Sequence, residues 1–130
     1  MGFFKNIFGD KTLKEVEETY LSWTPLISIE EINNIKEISK IQSILIFKHS
    51  TRCGISRMVM KQFESLFNEE NKHLKVYYLD LLNFRKVSSK LSEAFQVIHQ
   101  SPQLLVVKNG ISVYNESHYE ITKVNLSKYI

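Results

Sequence analysis

The sequence has a single cysteine, Cys53, among 130 residues. Small secreted domains often lean on several disulfides, and this chain cannot close even one internally. That points to a reducing compartment and predicts a cytoplasmic location. No run of about 18 apolar residues occurs, so no membrane-spanning helix is expected. Long Lys or Arg blocks are missing, RRM and zinc-finger signatures are missing, and the net charge of +3 is mild. Nucleic acid is therefore not an expected partner. There is no Gly-rich phosphate loop. His49, His73, His99 and His118 show no ligand spacing with one another, so no metal site is expected. Internal repeats and low-complexity segments are absent as well.

What is present is the composition of an ordinary soluble domain, 43% hydrophobic and 24% charged, at the length of one domain. The first residues carry Phe3, Phe4, Ile7 and Phe8 but only Lys5 as a positive charge. They are too few for a signal peptide, and Asn6 stands where myristoylation requires Ser or Thr. We read these aromatics as packing onto the domain. Residues 1–21 form an N-terminal extension in this reading, with a short helix over 12–20 opened by the capping-box spacing of Thr12 and Glu15. Residues 22–130 form the folded domain.

Hydrophobic periodicity supplies the elements. Residues 23–27 read as a short strand, with Pro25 arguing for a sheet edge. Ser28 and Glu31 make a second capping box, and Ile29, Ile32, Ile35 and Ile38 mark the buried side of the helix that follows. Residues 41–48 are a β-branched and aromatic run that reads as a central strand. A helical pattern over 54–67 carries Ile55, Val59, Phe63 and Leu66. Residues 74–81 form the next strand, and Phe84, Val87, Leu91, Ala94 and Ile98 the next helical stripe. The strand 104–107 meets its antiparallel partner 111–114 through Asn109-Gly110, two residues that tolerate positive φ. A final helix is expected over 121–130. The order β-α-β-α-β-α-β-β-α predicts an α/β fold, a mixed central sheet with helices on both faces.

Cys53 falls where a buried strand hands over to a helix, the place at which open α/β sheets put their sites. Unpaired amides and the helix dipole favour negative charge there, hence the thiolate, and Arg52 adds a positive neighbour. Gly54, lacking a Cβ, is expected to leave the sulfur open. Ser56 stands three residues on, where a Cys-x-x-Cys pair would hold its resolving thiol. Its hydroxyl cannot form a disulfide but could donate a hydrogen bond to the thiolate. His49 is near in sequence without a defined direction. Most lone cysteines are small buried hydrophobes. The polar flank Ser50, Thr51 and Arg52 argues against that here. Ser101-Pro102 immediately precedes a strand, the place that a cis-proline occupies opposite the active cysteine in thioredoxin-like proteins.

Three segments together carry a family resemblance. They are His-Ser-Thr-Arg-Cys-Gly-Ile-Ser at 49–56, Ser-Pro-Gln at 101–103 and Ser-His-Tyr-Glu-Ile-Thr at 117–122. Over residues 22–130 the chain resembles the YtxJ family, the monothiol bacilliredoxins. The resemblance implies a thioredoxin-like fold and a cysteine, here Cys53, that removes bacillithiol from mixed disulfides on client proteins. It implies a cis-proline at Pro102 and no cofactor, with bacillithiol as co-substrate. The anionic malyl group of that thiol makes Arg52 and Arg57 candidate contacts, with Thr51, Ser101 and His118 beside them. Family members often carry proline after the cysteine. Gly54 departs from that and likens the stretch to the Cys-Gly-Phe-Ser motif of monothiol glutaredoxins, which carry iron–sulfur clusters. Cluster carriage and an inert thioredoxin-fold adaptor thus stand as alternatives to thiol–disulfide exchange.

Overall fold

The structure, a computed structural model, describes residues 20–130. The reading of residues 12–20 as a helix falls, apart from Tyr20, outside the described residues. Five strands form one mixed sheet in the order β1-β3-β2-β4-β5. They are β1 Trp23–Pro25, β2 Ile44–His49, β3 Lys75–Asp80, β4 Gln103–Lys108 and β5 Ile111–Ser117. β1, β3 and β2 run parallel, and β4 and β5 add antiparallel pairings. Three α-helices connect them: α1 Ile29–Ile38, α2 Gly54–Glu64 and α3 Arg85–Phe95.

Strand alternation sends successive side chains to opposite faces, and each face has its own core. Leu45, Phe47, Val59, Phe63, Ile121 and Val124 pack on the α2 face. Ile44, Ile46, Ile32, Ile35, Val87 and Leu91 pack on the α1/α3 face. All six residues of β2 are buried, as a central parallel strand requires. That includes Lys48 and His49, the last two. Pro25 lies in the edge strand, where its missing N–H breaks no ladder bond.

Local signals explain the element ends. The Ser28 hydroxyl accepts the Glu31 N–H at 3.3 Å, and the Glu31 carboxylate reaches back to the Ile27 N–H at 3.0 Å. Asn109 (φ 54°) and Gly110 (φ 79°) make the β4–β5 turn in the left-handed region.

Five expectations need correction. The final helix is two 3₁₀ segments, His118–Lys123 and Leu126–Tyr129, because Val124 is extended (ψ 140°) and the Asn125 side chain starts a new turn on Ser127. Ile121, Val124 and Leu126 are the buried residues there, a spacing that no continuous α-helix can serve. Ile98 is 82% exposed, because α3 stops at Phe95 and the left-handed Gln96 turns Val97 inward in its place. Ile55 is exposed too, as is Ile29, the first residue of α1, whose buried residues are Ile32 and Ile35. The buried line of α2 runs Ser56, Val59, Phe63. The central strand starts at Ile44, leaving Ile41 in solvent.

Candidate active site at Cys53

The β2–α2 junction is built from short polar links. Cys53 is the N-cap residue of α2 in extended conformation (φ −102°, ψ 118°), and its side chain makes no capping bond. Its N–H donates to the Ser50 carbonyl at 3.1 Å, and its own carbonyl accepts the Arg57 N–H at 3.1 Å. The thiol is free and partly exposed. The first-turn amides of α2 have no intrahelical acceptor, and the first turn holds no acidic side chain to compete for them. The sulfur therefore sits at the positive end of an eleven-residue helix dipole.

Thr51, Arg52, Gly54 and Arg57 are all exposed around it. The Arg57 guanidinium folds back over this loop, with Nη1 donating to the Thr51 carbonyl at 3.0 Å. It thus holds the loop and brings positive charge to the cysteine end of the helix. Apart from its chain neighbours and its own helix backbone, a Cβ placed on Gly54 would meet only Arg57 Nη2, at 3.8 Å, an ordinary contact.

Ser56 differs from the sequence expectation. Its side chain is fully buried. Its Oγ lies 2.7 Å from His49 Nδ1 and accepts the Ser50 N–H at 3.3 Å. A hydroxyl proton directed at Nδ1 satisfies all three groups at once. Ser56 makes no hydrogen bond to Cys53. It is an anchor between β2 and α2, a task that spacing alone does not reveal.

His49, whose direction the sequence left open, points into the α2-face core between the Phe47 and Tyr78 rings. Burial pushes its imidazole below the ordinary value. The Asp80 charge opposes this, Arg57 adds to it, and the backbone of Ser56 opposes it. Asp80 is its register partner on β3, with Oδ2 accepting from Asn83 at 2.7 Å and Oδ1 buried without a partner.

Pro102 is buried, and the Ser101–Pro102 peptide is cis. The β2–β4 register pairs Lys48 with Gln103, so Pro102 continues the ladder beside His49, at the strand end that leads to Cys53. The Pro102 carbonyl accepts the His118 N–H at 3.0 Å, tying the start of the first 3₁₀ segment to this loop. His118 itself is exposed and holds a positive φ of 59°. The Ser101 hydroxyl is buried without a partner. Cys53, Arg52, Thr51, Gly54 and Arg57 are thus one loop-and-helix-start unit. Pro102, Ser101 and His118 form a second, joined to the first through the β2–β4 ladder. Among the described residues, no group of three or more His, Cys, Asp or Glu side chains could hold a metal ion.

Known proteins agree with this arrangement. A protein described as a candidate oxidoreductase with a thioredoxin fold superposes with a TM-score of 0.67 at 30% identity, covering 81% of this chain and 88% of its own. Thioredoxin from Malassezia sympodialis superposes with a TM-score of 0.68 at 15% identity, over 85% of this chain and 93% of its own. Thioredoxin from Trypanosoma brucei brucei gives 0.64 at 18%, over 80% and 85%. The two thioredoxins show the fold alone, which is the thioredoxin fold. The family described as monothiol bacilliredoxin BrxC matches residues 24–126, a span running from the second residue of β1 to the first residue of the second 3₁₀ segment. The chain therefore belongs to the monothiol bacilliredoxin family and is a thioredoxin-fold protein of thiol redox function.

Proposed function

We propose that the protein removes bacillithiol, or a similar low-molecular-weight thiol, from mixed disulfides on client proteins, using Cys53 as its only redox-active atom. The observation that carries this reading is a partly exposed thiol at a helix N-terminus, with a buried hydroxyl where a resolving cysteine would stand. The Cys53 thiolate attacks the bacillithiol sulfur of the client's mixed disulfide. That S–S bond breaks, the client leaves as a thiolate, and a new S–S bond joins Cys53 to bacillithiol. A second bacillithiol thiolate then attacks the bacillithiol sulfur of this adduct. Cys53 leaves as a thiolate, and the two small thiols depart as their disulfide. The second bacillithiol is the reductant, oxidised to the disulfide as the client is reduced, and the two exchanges balance with no cofactor.

Arg52 and Arg57 supply positive charge for the carboxylates of the small thiol, and Thr51, Ser101 and His118 supply polar contacts around it. The cytoplasm, where thiols are kept reduced, is the compartment that suits this cycle. The test is incubation with a bacillithiolated protein followed by intact-mass measurement. Wild type should gain one bacillithiol and Cys53→Ala none. Equal gain by both, or by neither, refutes the proposal.

A further inference from the structure

A second concentration of polar groups lies on the opposite face of the sheet. Its centre is Lys48, which strand alternation directs to the α1/α3 face while His49 goes to the other. Lys48 is 0% exposed. Its Nζ donates to Ser92 Oγ at 3.3 Å and lies 2.9 Å from His99 Nδ1. An ammonium has three N–H donors, and these two neutral partners occupy two of them. Among the described residues the ion pairs are Lys40–Glu37, Lys72–Glu69, Lys90–Glu93 and Lys123–Glu120, all at the surface. Among the described residues no carboxylate neutralises Lys48, and a buried charge without a counter-charge is costly.

Both partners of Lys48 open onto a cavity of about 410 Å³ lined by Leu81, Arg85, Ser88, Ser89, Ser92 and His99. Arg85, Ser88, Ser89 and Ser92 recur at helical spacing and so share one face of α3. Arg85 also lacks a carboxylate within ion-pair distance. The lining thus offers a guanidinium, three hydroxyls and an imidazole, with an ammonium behind them and no acidic side chain. The lining carries more donors than one carboxylate can use, which favours a phosphate with its three or four acceptor oxygens.

We propose that this cavity binds a phosphate group, with Arg85, His99 and the α3 serines as its cradle and Lys48 supplying positive charge from behind Ser92 and His99. The bound dianion supplies the counter-charge that Lys48 lacks. The site does not involve Cys53, so it stands or falls apart from the thiol chemistry.

The test is a titration of the full chain with inorganic phosphate near neutral pH, followed by calorimetry and by the histidine ring resonances. One saturable site with a Kd on the order of 1 mM or tighter is expected. The His99 resonances should follow the titration, and those of exposed His118 should not. Arg85→Gln should weaken binding by about tenfold or more, as loss of a charge-assisted contact does, and Lys48→Met should weaken it through loss of the charge behind the cavity. Arg85 is exposed, so its variant tests the site even where Lys48→Met misfolds. Cys53→Ala should bind as wild type does. Glycerol phosphate binding more tightly than inorganic phosphate identifies a phosphate monoester as the ligand, and the reverse order identifies the free ion. Absence of saturable binding, equal affinity for succinate, or a loss in the surface control Lys128→Gln as large as in Arg85→Gln overturns the proposal.

Discussion

Lys48 makes a measurable statement about stability. Burial lowers its ammonium from 10.5 to about 8. The folded state therefore prefers the neutral amine, while the unfolded chain keeps the ordinary value. At pH 7 both states are charged, and the full cost of burying the charge is present. A shift of this size corresponds to about 3 kcal/mol at 1.36 kcal/mol per unit. As pH rises above 8 the folded state gives up its proton while the unfolded state retains it, so stability rises with pH in that window. Integrated from about pH 7 to about pH 9.5, the gain is about 2 kcal/mol. The tyrosines Tyr77, Tyr78, Tyr114 and Tyr129 are all raised by burial, and their stabilising effect is lost only as pH climbs past 10, outside this window.

Lys48→Met removes the charge and keeps the apolar stem. It also removes the bonds to Ser92 and His99, each worth about 1.5–3 kcal/mol from a charged donor, which offset the relieved burial at pH 7. The decisive expectation is therefore the change of the difference with pH. The assay is urea unfolding of both proteins across the window, in phosphate-free buffer. The wild-type minus variant difference should rise by about 2 kcal/mol between the two ends, and taking the difference cancels every other titrating group. A difference that stays flat across the window refutes the reasoning.

At the other end of the pH scale, the depressed His49 imidazole contributes stability that is present above about pH 6.5 and lost as pH falls. Chemical unfolding of His49→Asn should accordingly show a shallower acid loss than wild type, and an unchanged slope contradicts the assignment. Ser56→Ala leaves His49 Nδ1 and the Ser50 N–H without their partner and should cost about 1–3 kcal/mol in the same assay. Gly54→Ala meets no residue other than its chain neighbours and its own helix backbone closer than 3.8 Å and should leave stability within about 0.5 kcal/mol, with thiol transfer retained in the intact-mass assay. Gly54→Pro should also fold, since a first helical position tolerates proline, which thermal unfolding reads directly. Gly110→Val places a β-branched residue at φ 79° and should lower the melting temperature through the β4–β5 turn.

The parts of the fold governed by short-range chemistry were legible: the Ser28–Glu31 box, the Asn109-Gly110 turn, and the alternation of strands and helices that implies parallel pairing. The tail was not, because Ile121, Val124 and Leu126 satisfy the core from a broken path that apolar content alone does not distinguish from a helix. At the site, Cys53 and the Ser101-Pro102 step could be located from the strand and helix boundaries around them. The roles of Lys48, His49 and Ser56 could not. Ending β2 at Lys48 makes that lysine a solvated strand terminus and His49 a loop residue. Extending it by one pair, to His49↔Asp80, buries both. The available signal was alternation: with Ile44 and Ile46 on one face, Lys48 must follow them inward and His49 must join Phe47.

That single extra strand residue also bears on why position 56 holds a hydroxyl. The side chain there points inward whichever residue occupies it, because α2 turns its Ser56–Val59–Phe63 line to the sheet. Within 2.7 Å of His49 Nδ1 and 3.3 Å of the Ser50 N–H, an oxygen completes two hydrogen bonds that brace the β2–α2 loop. Sulfur is larger and a weaker hydrogen-bonding atom, so Ser56→Cys exchanges this brace for a thiol. On the proposed mechanism such a thiol would compete with the second bacillithiol for the Cys53 adduct. The variant should therefore release bacillithiol from Cys53 without added small thiol, while unfolding at lower denaturant than wild type. Intact-mass kinetics and urea titration read the two effects separately. Retention of the adduct would mean that position 56 cannot reach the sulfur, and the monothiol character would then rest on geometry rather than on the missing thiol.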